Sequence, residues 1–479
     1  MPADLYAVIV LAAGQGRRMK SKLPKVMHRL AGMPLVGHVL TAAAELAPKN
    51  TVVVVGVGKE VTEGYLSDAW PKVHVVEQKE QRGTGHAVKQ ALSALGKLGE
   101  PASNASVLVV SGDTPLITPA ALNELLQTLQ SQQAKAALLT AEVEDPTGYG
   151  RILRGESGRA VTGIIEEVDA TDSERAIREI NGGVYAFNLA SLEAALEKVG
   201  SQNAAGEEYL TQTVALIASA GEVVVACRMS DADLVAGIND RTQLADVGAK
   251  LNSWITAAWM KKGVTFVDPT TTWVEATVQI EADSVIWPNT YLSGATVIAE
   301  GSVIGPDVTL SNTTVGVGAR VERSSVKDSK IGAGASVGPY AHIRPGTVID
   351  TSVHIGSFVE IKNSSLGVGA KVPHLTYVGD ADIGEGTNIG ASSVFVNYDG
   401  VNKHRTSIGK HVRVGSDTML VAPVKIGDGA YTAAGSVITE DVPPGAMAVA
   451  RERQRNIEGW VKRKRGGTEA ARAAEAAED

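Results

Sequence analysis

The chain has 479 residues, too many for one ordinary hydrophobic core, so two or three domains are expected. Its 45 Lys and Arg against 53 Asp and Glu leave a net charge of -8, which argues against a nucleic-acid partner but leaves room for local basic clusters that bind small anions. A single cysteine, Cys227, excludes an internal disulfide and a thiolate metal cage and makes a reducing cytoplasm the economical location; no stretch is long enough to cross a membrane.

Residues 1–240 alternate short β-rich runs (AVIVLAA, TVVVVGV, SVLVVSG, EVVVAC) with amphipathic stretches such as PAALNELLQTLQSQ. That alternation predicts an α/β domain, Rossmann-like, with a mainly parallel sheet. AVIVLAAG has no basic residues ahead of it and reads as a buried strand, not a signal peptide. It runs into LAAGQGRRMKSKLPK, residues 11–25, where Gly14 and Gly16 let the backbone approach a phosphate and Arg17, Arg18, Lys20, Lys22 and Lys25 supply counter-charge. The loop is no P-loop, since no G-x-x-x-x-G-K-[ST] occurs, and no dinucleotide fingerprint, since Met19 replaces the third glycine. Taken alone, it fits a solvated turn equally well. SVLVVSGDTPL ends in Gly112-Asp113, which puts a carboxylate on the same sheet edge, where it could hold the Mg²⁺ of a nucleotide triphosphate; an Asx turn before Pro115 is the plainer alternative.

Residues 241–262 place Leu244, Val247, Leu251, Ile255 and Ala258 at helical spacing ahead of Gly263, a linker helix. In residues 263–460 aliphatic side chains recur every six positions, as in Ile331, Val337, Ile343, Ile349, Ile355 and Ile361, with occasional steps of five. A hexapeptide period over so many turns predicts a parallel β-helix whose strands each point one aliphatic group into a narrow prism. Residues 390–407, GASSVFVNYDGVNKHRTS, break the period and are the place to look for function; residues 461–479 read as a solvated, disordered tail.

Further motifs occur in order: QRGTGHA, DPTGYGRI, IIEEVDAT, EING, AGINDR, HIRPGT, FVEIKN, HLTYVGDADIG, NIGA, NYDGVNKHRTSIG and VGSDTMLVAP. Together with LAAGQGRRM, PK and GDTPL they resemble the bifunctional N-acetylglucosamine-1-phosphate uridylyltransferase/glucosamine-1-phosphate N-acetyltransferases over nearly the whole chain, the tail after about residue 460 excepted. The resemblance implies an α/β nucleotidyltransferase domain, a linker helix and a left-handed parallel β-helix, assembled as a homotrimer.

For the first reaction it implies attack of N-acetylglucosamine-1-phosphate on the α-phosphate of UTP with loss of pyrophosphate, a step that rests on alignment and charge neutralisation. Arg18 and Lys25 would face the triphosphate, beside Ser111 and Gly112, and Asp113 would share Mg²⁺ with Asn239. Leu11, Ala12, Ala13, Gly14, Gln78, Gly83 and Thr84 would hold uracil and ribose, and Gly150, Glu166 and Asn181 the sugar. Arg17 departs from the family pattern, which has a small hydroxyl residue there.

For the second reaction, acetyl transfer from acetyl-CoA to glucosamine-1-phosphate, an amine proton must be accepted. His374 is the implied base, since imidazole is the side chain that titrates near neutrality. Repeat spacing suggests Glu360 as the group that orients it. Arg344, Lys362, Tyr377 and Asn388 would bind the sugar phosphate; Ala391, Asn397, Tyr398, Ser416, Ala434 and Arg451 would line the CoA path, with Ser416 facing the developing oxyanion. The basic segments RERQR and VKRKR are further candidates for CoA phosphates. Three alternatives stay open: a nucleotidyltransferase whose β-helix only assembles the oligomer, a zinc hydratase using His342, His354 and His374, and a non-catalytic sugar-nucleotide-binding scaffold.

Overall fold

The computed structural model describes residues 5–477 apart from 100, 103, 157 and 159. The chain divides into two compact units, Met1–Trp259 with Trp273–Thr277 and Met260–Thr272 with Val278–Asp479.

In the first unit the β-branched run Leu5–Ala12 is a central strand, flanked in parallel by Asn50–Val55 and Ser106–Ser111. The strand order is Val224–Met229, Ala136–Glu142, Glu179–Asn188, Ser106–Ser111, Leu5–Ala12, Asn50–Val55, His74–Glu77, and Glu179–Asn188 runs antiparallel to both its neighbours. The sheet is therefore mainly parallel, as the alternation predicts. A hairpin of Arg151–Arg154 and Val161–Ile165 extends it. Side chains alternate across the sheet: Val8 and Val10 pack with Val39 and Leu122 on one side, Ala7 and Ile9 with Val88, Leu192 and Val214 on the other. Each such Val, Ile or Leu burial stabilises by about 1.5–3 kcal/mol. Helices thus cover both faces, and the loops that leave the carboxyl ends of the parallel strands remain free to build a site. The helix Pro119–Ser131 starts where Thr118 accepts a hydrogen bond from the Ala121 N–H.

The predicted linker helix is Arg241–Lys261, followed by Gly263 at φ +93°. Its Val247 joins Leu30, Leu35, Leu116 and Ile238 in a small apolar cluster, with Leu244 and Leu251 against it. Further along, the buried positions are Asn252 and Thr256, not the expected Ile255 and Ala258, and Asn252 Oδ1 accepts from the Val274 N–H at 3.0 Å.

The second unit is the left-handed β-helix, three parallel sheets wound into a prism whose successive coils mostly lie 16 to 18 residues apart, and 25 where the excursion intervenes. Its first face includes His354–Ser357, Lys371–His374, Asn388–Ile389 and Arg413–Val414; its second, Glu360–Lys362, Tyr377–Gly379, Val394–Val396 and Met419–Val421; its third, Ser365–Leu366, Ala381–Ile383, Thr406–Ile408 and Val424–Ile426. Ile343, Ile361 and Val378 stack in register inside, all fully buried, which is why the aliphatic period is strict. Corners turn on single left-handed residues: Phe358, Leu375, Ser392 and Asp417 between the first and second faces, Asn312, Asp328, Asn363 and Asp380 between the second and third.

The interruption expected over 390–407 is shorter than that. Val394–Val396 is an ordinary strand, and Phe395 fills the prism one hexapeptide after Ile389; an aromatic side chain at a core position hid the frame. The true excursion lies between Val396 and Thr406 and carries the Tyr398–Lys403 bridge. The tail expected to lack structure holds two helices, Trp460–Arg465 and Glu469–Ala476. Its alanines favour helix, and Thr468 caps the second one by accepting from the Ala471 N–H. No helix among the described residues is long and apolar enough to cross a membrane.

Candidate active sites

At the carboxyl edge of the first unit's sheet lies a cavity of about 560 Å³, lined by Leu11, Ala13, Gly14, Gln15, Arg17, Lys25, Gln78, Gln81, Gly83, Thr84, Ser111, Asp113 and Glu207 among others. Gly16 sits at φ +60°, and a Cβ there would fall 2.6 Å from Lys25 Cβ, so the glycine lets the loop fold back on Lys25. Gly112 N–H donates to Leu11 O at 2.9 Å and seats the Asp113 turn beside the loop. Ile238 N–H donates to Asp113 O at 3.0 Å and brings AGIND to the same edge, where Gln243 Oε1 accepts from the Asn239 N–H at 2.7 Å. The Lys25 ammonium donates to both Asp113 Oδ2 and Asn239 Oδ1, the latter at 3.1 Å. Lys25 and Asp113 side chains are only 14 % and 17 % exposed, so water screens this pair weakly.

Around the rest of the cavity, Gln78 Nε2 donates to Gly83 O at 3.0 Å, and Gln81 Nε2 to Ala13 O at 2.6 Å. Gly83, at φ +109°, packs on the backbone of Glu208; a Cβ would fall 2.5 Å from its carbonyl oxygen. Thr84 Oγ1 accepts from the Leu210 N–H. Glu208, buried, receives Arg82 and Lys89 and fixes this turn. Gly150, Glu166 and Asn181 also converge: the Asn181 N–H donates to Gly150 O at 2.8 Å, and a Cβ on Gly150 would lie 3.4 Å from Glu166 Oε2. Burial pushes the Glu166 carboxyl up, against a hydrogen bond from Thr211. Asn181 Nδ2 donates to the Tyr185 hydroxyl at 2.7 Å.

Arg17 and Arg18 are both exposed on the turn Arg17–Met19; Arg17, aligned by Gln15 Oε1 at 2.7 Å, lines the cavity, and Arg18 stands next to it on the same turn. Gln15, Gln81 and Glu207 were not singled out in the sequence; nothing marks them before the fold brings their loops together.

In the second unit His374 closes a first-face strand at the corner, exposed, beside Leu375. Second-face strands carry Glu360, Lys362 and Tyr377 past the same corner. Glu360 accepts from Arg344 Nη1 at 2.8 Å, and no hydrogen bond joins it to His374. The coil period accounts for this: the residue one coil before His374 is Ser357, and Glu360 stacks on Tyr377. Lys362 Nζ lies 3.6 Å from Asp380 Oδ2, and Asp380 also accepts from Asn363 Nδ2 and Asn397 Nδ2. Lys403, to which the sequence reading gave no role, reaches back from the excursion, and its contact with the Lys362 ammonium lowers its pKa.

Gly379 makes room for this group, since a Cβ would collide with the Tyr377 hydroxyl and fall 2.7 Å from Asn397 Nδ2. Asn388 lies on the first face beside Lys371.

Four of the residues expected along the CoA path form a ladder down the His374 corner. The Ser392 N–H donates to His374 O, the Asp417 N–H to Ala391 O and the Gly435 N–H to Ser416 O. Ala434 precedes Gly435, and the Arg451 Cδ approaches the Cβ position of Gly435 at 3.9 Å. Ser416, Ala434 and Arg451 are exposed. Asn397 and Tyr398 stand elsewhere: the Asn397 amide turns inward to Asp380, and the Tyr398 hydroxyl donates to Gly400 O at 2.6 Å within its own loop.

Residues 8–181 match the MobA-like NTP transferase domain family, and residues 328–363 and 405–440 match the bacterial transferase hexapeptide (six repeats) family. The chain is 54 % identical to the bifunctional protein GlmU of Streptomyces coelicolor, over 98 % of this chain and 97 % of that protein. It is 54 % identical to that of Mycolicibacterium gilvum, over 98 % and 94 %, and 52 % to that of Mycobacterium tuberculosis, over 100 % and 96 %. With a nucleotidyltransferase cavity in one unit and a hexapeptide prism bearing an exposed imidazole in the other, the chain belongs to the bifunctional GlmU family and is a uridylyltransferase and an N-acetyltransferase in one polypeptide.

Proposed function

We propose that the β-helix transfers acetyl from acetyl-CoA to the amine of glucosamine-1-phosphate, and that the α/β unit then joins the N-acetylglucosamine-1-phosphate so formed to UMP from UTP, releasing pyrophosphate. What carries the reading is a convergence of charge in each unit: Lys25, Asp113 and Asn239 at one point, and Arg344, Lys362, Lys403 and Asp380 on a face that adjoins His374.

In the uridylyl site the sugar phosphate is already an anion, so its oxygen attacks the α-phosphorus without a side-chain nucleophile and the P–O bond to pyrophosphate breaks. Lys25 and Arg18, with Arg17 beside them, neutralise the triphosphate, the backbone of Ala13 and Gly14 lies close to it, and Gln78, Gly83 and Thr84 receive the nucleoside. Gly150, Glu166 and Asn181 hold the sugar. Asp113 and Asn239 suit Mg²⁺: both present hard oxygens, and both already converge on a single positive centre, the Lys25 ammonium. Bound there, Mg²⁺ supplies neutralising charge to the phosphates.

In the acetyl site His374 takes the proton from the attacking amine, and the sulfur of CoA leaves as the amide bond forms. Arg344, Lys362 and Lys403 receive the sugar phosphate, with Tyr377 and Asn388 beside the sugar. The corner ladder of Ala391, Ser416, Ala434 and Arg451 gives CoA an extended track, and the Ser416 hydroxyl is free to donate to the oxyanion.

A homotrimer is part of the reading. Tyr340, Phe358 and Leu375 occupy one corner in three successive coils, are 55–60 % exposed, and adopt left-handed backbone at a cost of about 1–2 kcal/mol each for side chains of this kind. The Tyr340 and Phe358 rings stack at 5.2 Å. An exposed apolar strip of this kind fits cover by a second copy. A cytoplasmic location fits Cys227, whose burial pushes its thiol pKa up and keeps it protonated.

The test is the mass of products formed from UTP, acetyl-CoA and glucosamine-1-phosphate. UDP-N-acetylglucosamine, pyrophosphate and free CoA in equal amounts are expected; failure to release CoA from acetyl-CoA would reduce the β-helix to a scaffold.

A further inference from the structure

Asp380 occupies a corner that needs a left-handed residue, at φ +52°, and other coils fill the same corner with Asn312, Asp328 and Asn363. Asn and Asp tolerate that conformation, so the backbone alone explains an Asx side chain here. What the backbone leaves unexplained is the comparison with Asp328. There, Asn312 Nδ2 donates to Asp328 Oδ1 at 2.9 Å and the carboxylate is otherwise exposed. At Asp380 the equivalent bond comes from Asn363 at 2.6 Å, but the carboxylate is 7 % exposed, its second oxygen accepts from Asn397, and Lys362 Nζ stands 3.6 Å away. Burial by itself raises the Asp380 pKa; the two amide donors and the Lys362 charge outweigh it and keep the group ionised.

Around it, Arg344 is already paired with Glu360, whereas Lys362 and Lys403 meet each other as like charges. We propose that Asp380 is a positioning residue of the acetyl-acceptor site: its carboxylate fixes Lys362 and Asn397 and supplies the counter-charge that lets Lys362 and Lys403 stand together as cations before one dianionic phosphate. The inference rests on reading Lys362 and Lys403 as the acceptor-phosphate site. A buried anion one step behind a cationic pair sets its geometry, while the substrate phosphate, arriving in front, meets two charges that have not moved apart.

The experiment uses the full chain and steady-state release of CoA thiol. Asp380→Asn keeps a corner-compatible side chain and removes the charge. Acceptor KM is expected to rise roughly tenfold as Lys362 and Asn397 lose the group that fixes them, with kcat within about threefold. Because the Asp380 charge raises the Lys403 pKa, its loss moves the pH at which acceptor KM begins to climb downward. Asp328→Asn leaves every parameter in place, and uridylyl transfer is unchanged in both variants. An unchanged acceptor KM in Asp380→Asn, or a fall in kcat with no displacement of the pH profile, would overturn the proposal. Lys362→Ala separates the two levels: an unchanged acceptor KM there sinks the phosphate-site reading and this inference with it, whereas a raised KM there with none in Asp380→Asn sinks the inference alone. If Asp380→Asn loses acetyl-CoA binding through misfolding, Asp380→Ser, smaller and also uncharged, replaces it; collapse of both would make the residue purely a corner former.

Discussion

In the α/β unit the residues that meet come from far apart in sequence: Lys25 donates to Asp113 across 88 positions and to Asn239 across 214. In the β-helix Arg344 reaches Glu360 across 16, and Asp380 meets Asn363 and Asn397 across 17 on either side. The first site is a product of topology, since adjacent parallel strands deliver unrelated loops to one edge. The second is a product of period, since each coil places its side chains directly over those of the coil before. A change in the first region therefore disturbs a meeting of loops, while a change in the second is felt one coil up or down and little further.

The sharpest way to break the comparison is to silence each region separately. Asp113→Ala is expected to lower uridylyl transfer by about 10²–10³-fold with acetyl transfer intact, and His374→Ala to lower acetyl transfer by about 10²–10⁴-fold with uridylyl transfer intact. Pyrophosphate and thiol assays on one preparation measure both; loss of both activities in either variant would show that the regions are not independent. Next in size is Gly379→Ala, whose methyl displaces Tyr377 and Asn397. Overpacking of about 1–3 kcal/mol translates into an acceptor KM about tenfold higher, and an unaltered KM would show that these side chains do not shape the site. Glu360→Gln is milder. Its pair with Arg344 is 39–40 % exposed, so acceptor KM rises no more than about fivefold, and the pH profile of kcat stays where it is; a displaced profile would return Glu360 to the role of partner to His374. The smallest effect concerns the excursion. Asp399 accepts from the Asn402 and Val401 N–H groups and His404, and its carboxyl is held down to about 2 from 3.8. A depressed acid keeps its loop ordered above the free-carboxyl value and releases it as pH falls through the depressed one. The carboxylate-linked step in the Val401 and Asn402 amide signals should come near pH 2, and a step near the free-carboxyl value of 3.8 would show that these bonds do not hold Asp399.

Much of this was legible beforehand. Four of the sheet's strands announce themselves by β-branched runs, and the prism by its aliphatic period, because both depend on repeated burial of one residue class. Ala136–Glu142, AALLTAE, did not, since alanine and leucine favour helix and only its place between two other strands makes it one. Phe395 stayed hidden for a related reason, being an aromatic where the period supplies aliphatics. Among the site residues, Asp113, Asn239 and His374 were named from motifs. Lys403 was given no role, because how far a loop reaches back is set by turn geometry. Repeat spacing suggested Glu360 as the partner of His374, whereas the step of a whole coil stacks it on Tyr377 and brings it to Arg344.

The excursion after Val396 leaves the prism and returns at Thr406 without disturbing the strands on either side. A stack of this kind tolerates addition very unevenly: one residue inserted within a strand would rotate every later side chain off its face, whereas a long detour that departs and rejoins at a corner leaves the remainder untouched. Lineages that carry such a prism can therefore gain new surface by lengthening corners, and comparison of detour lengths between distant copies would trace where that happened.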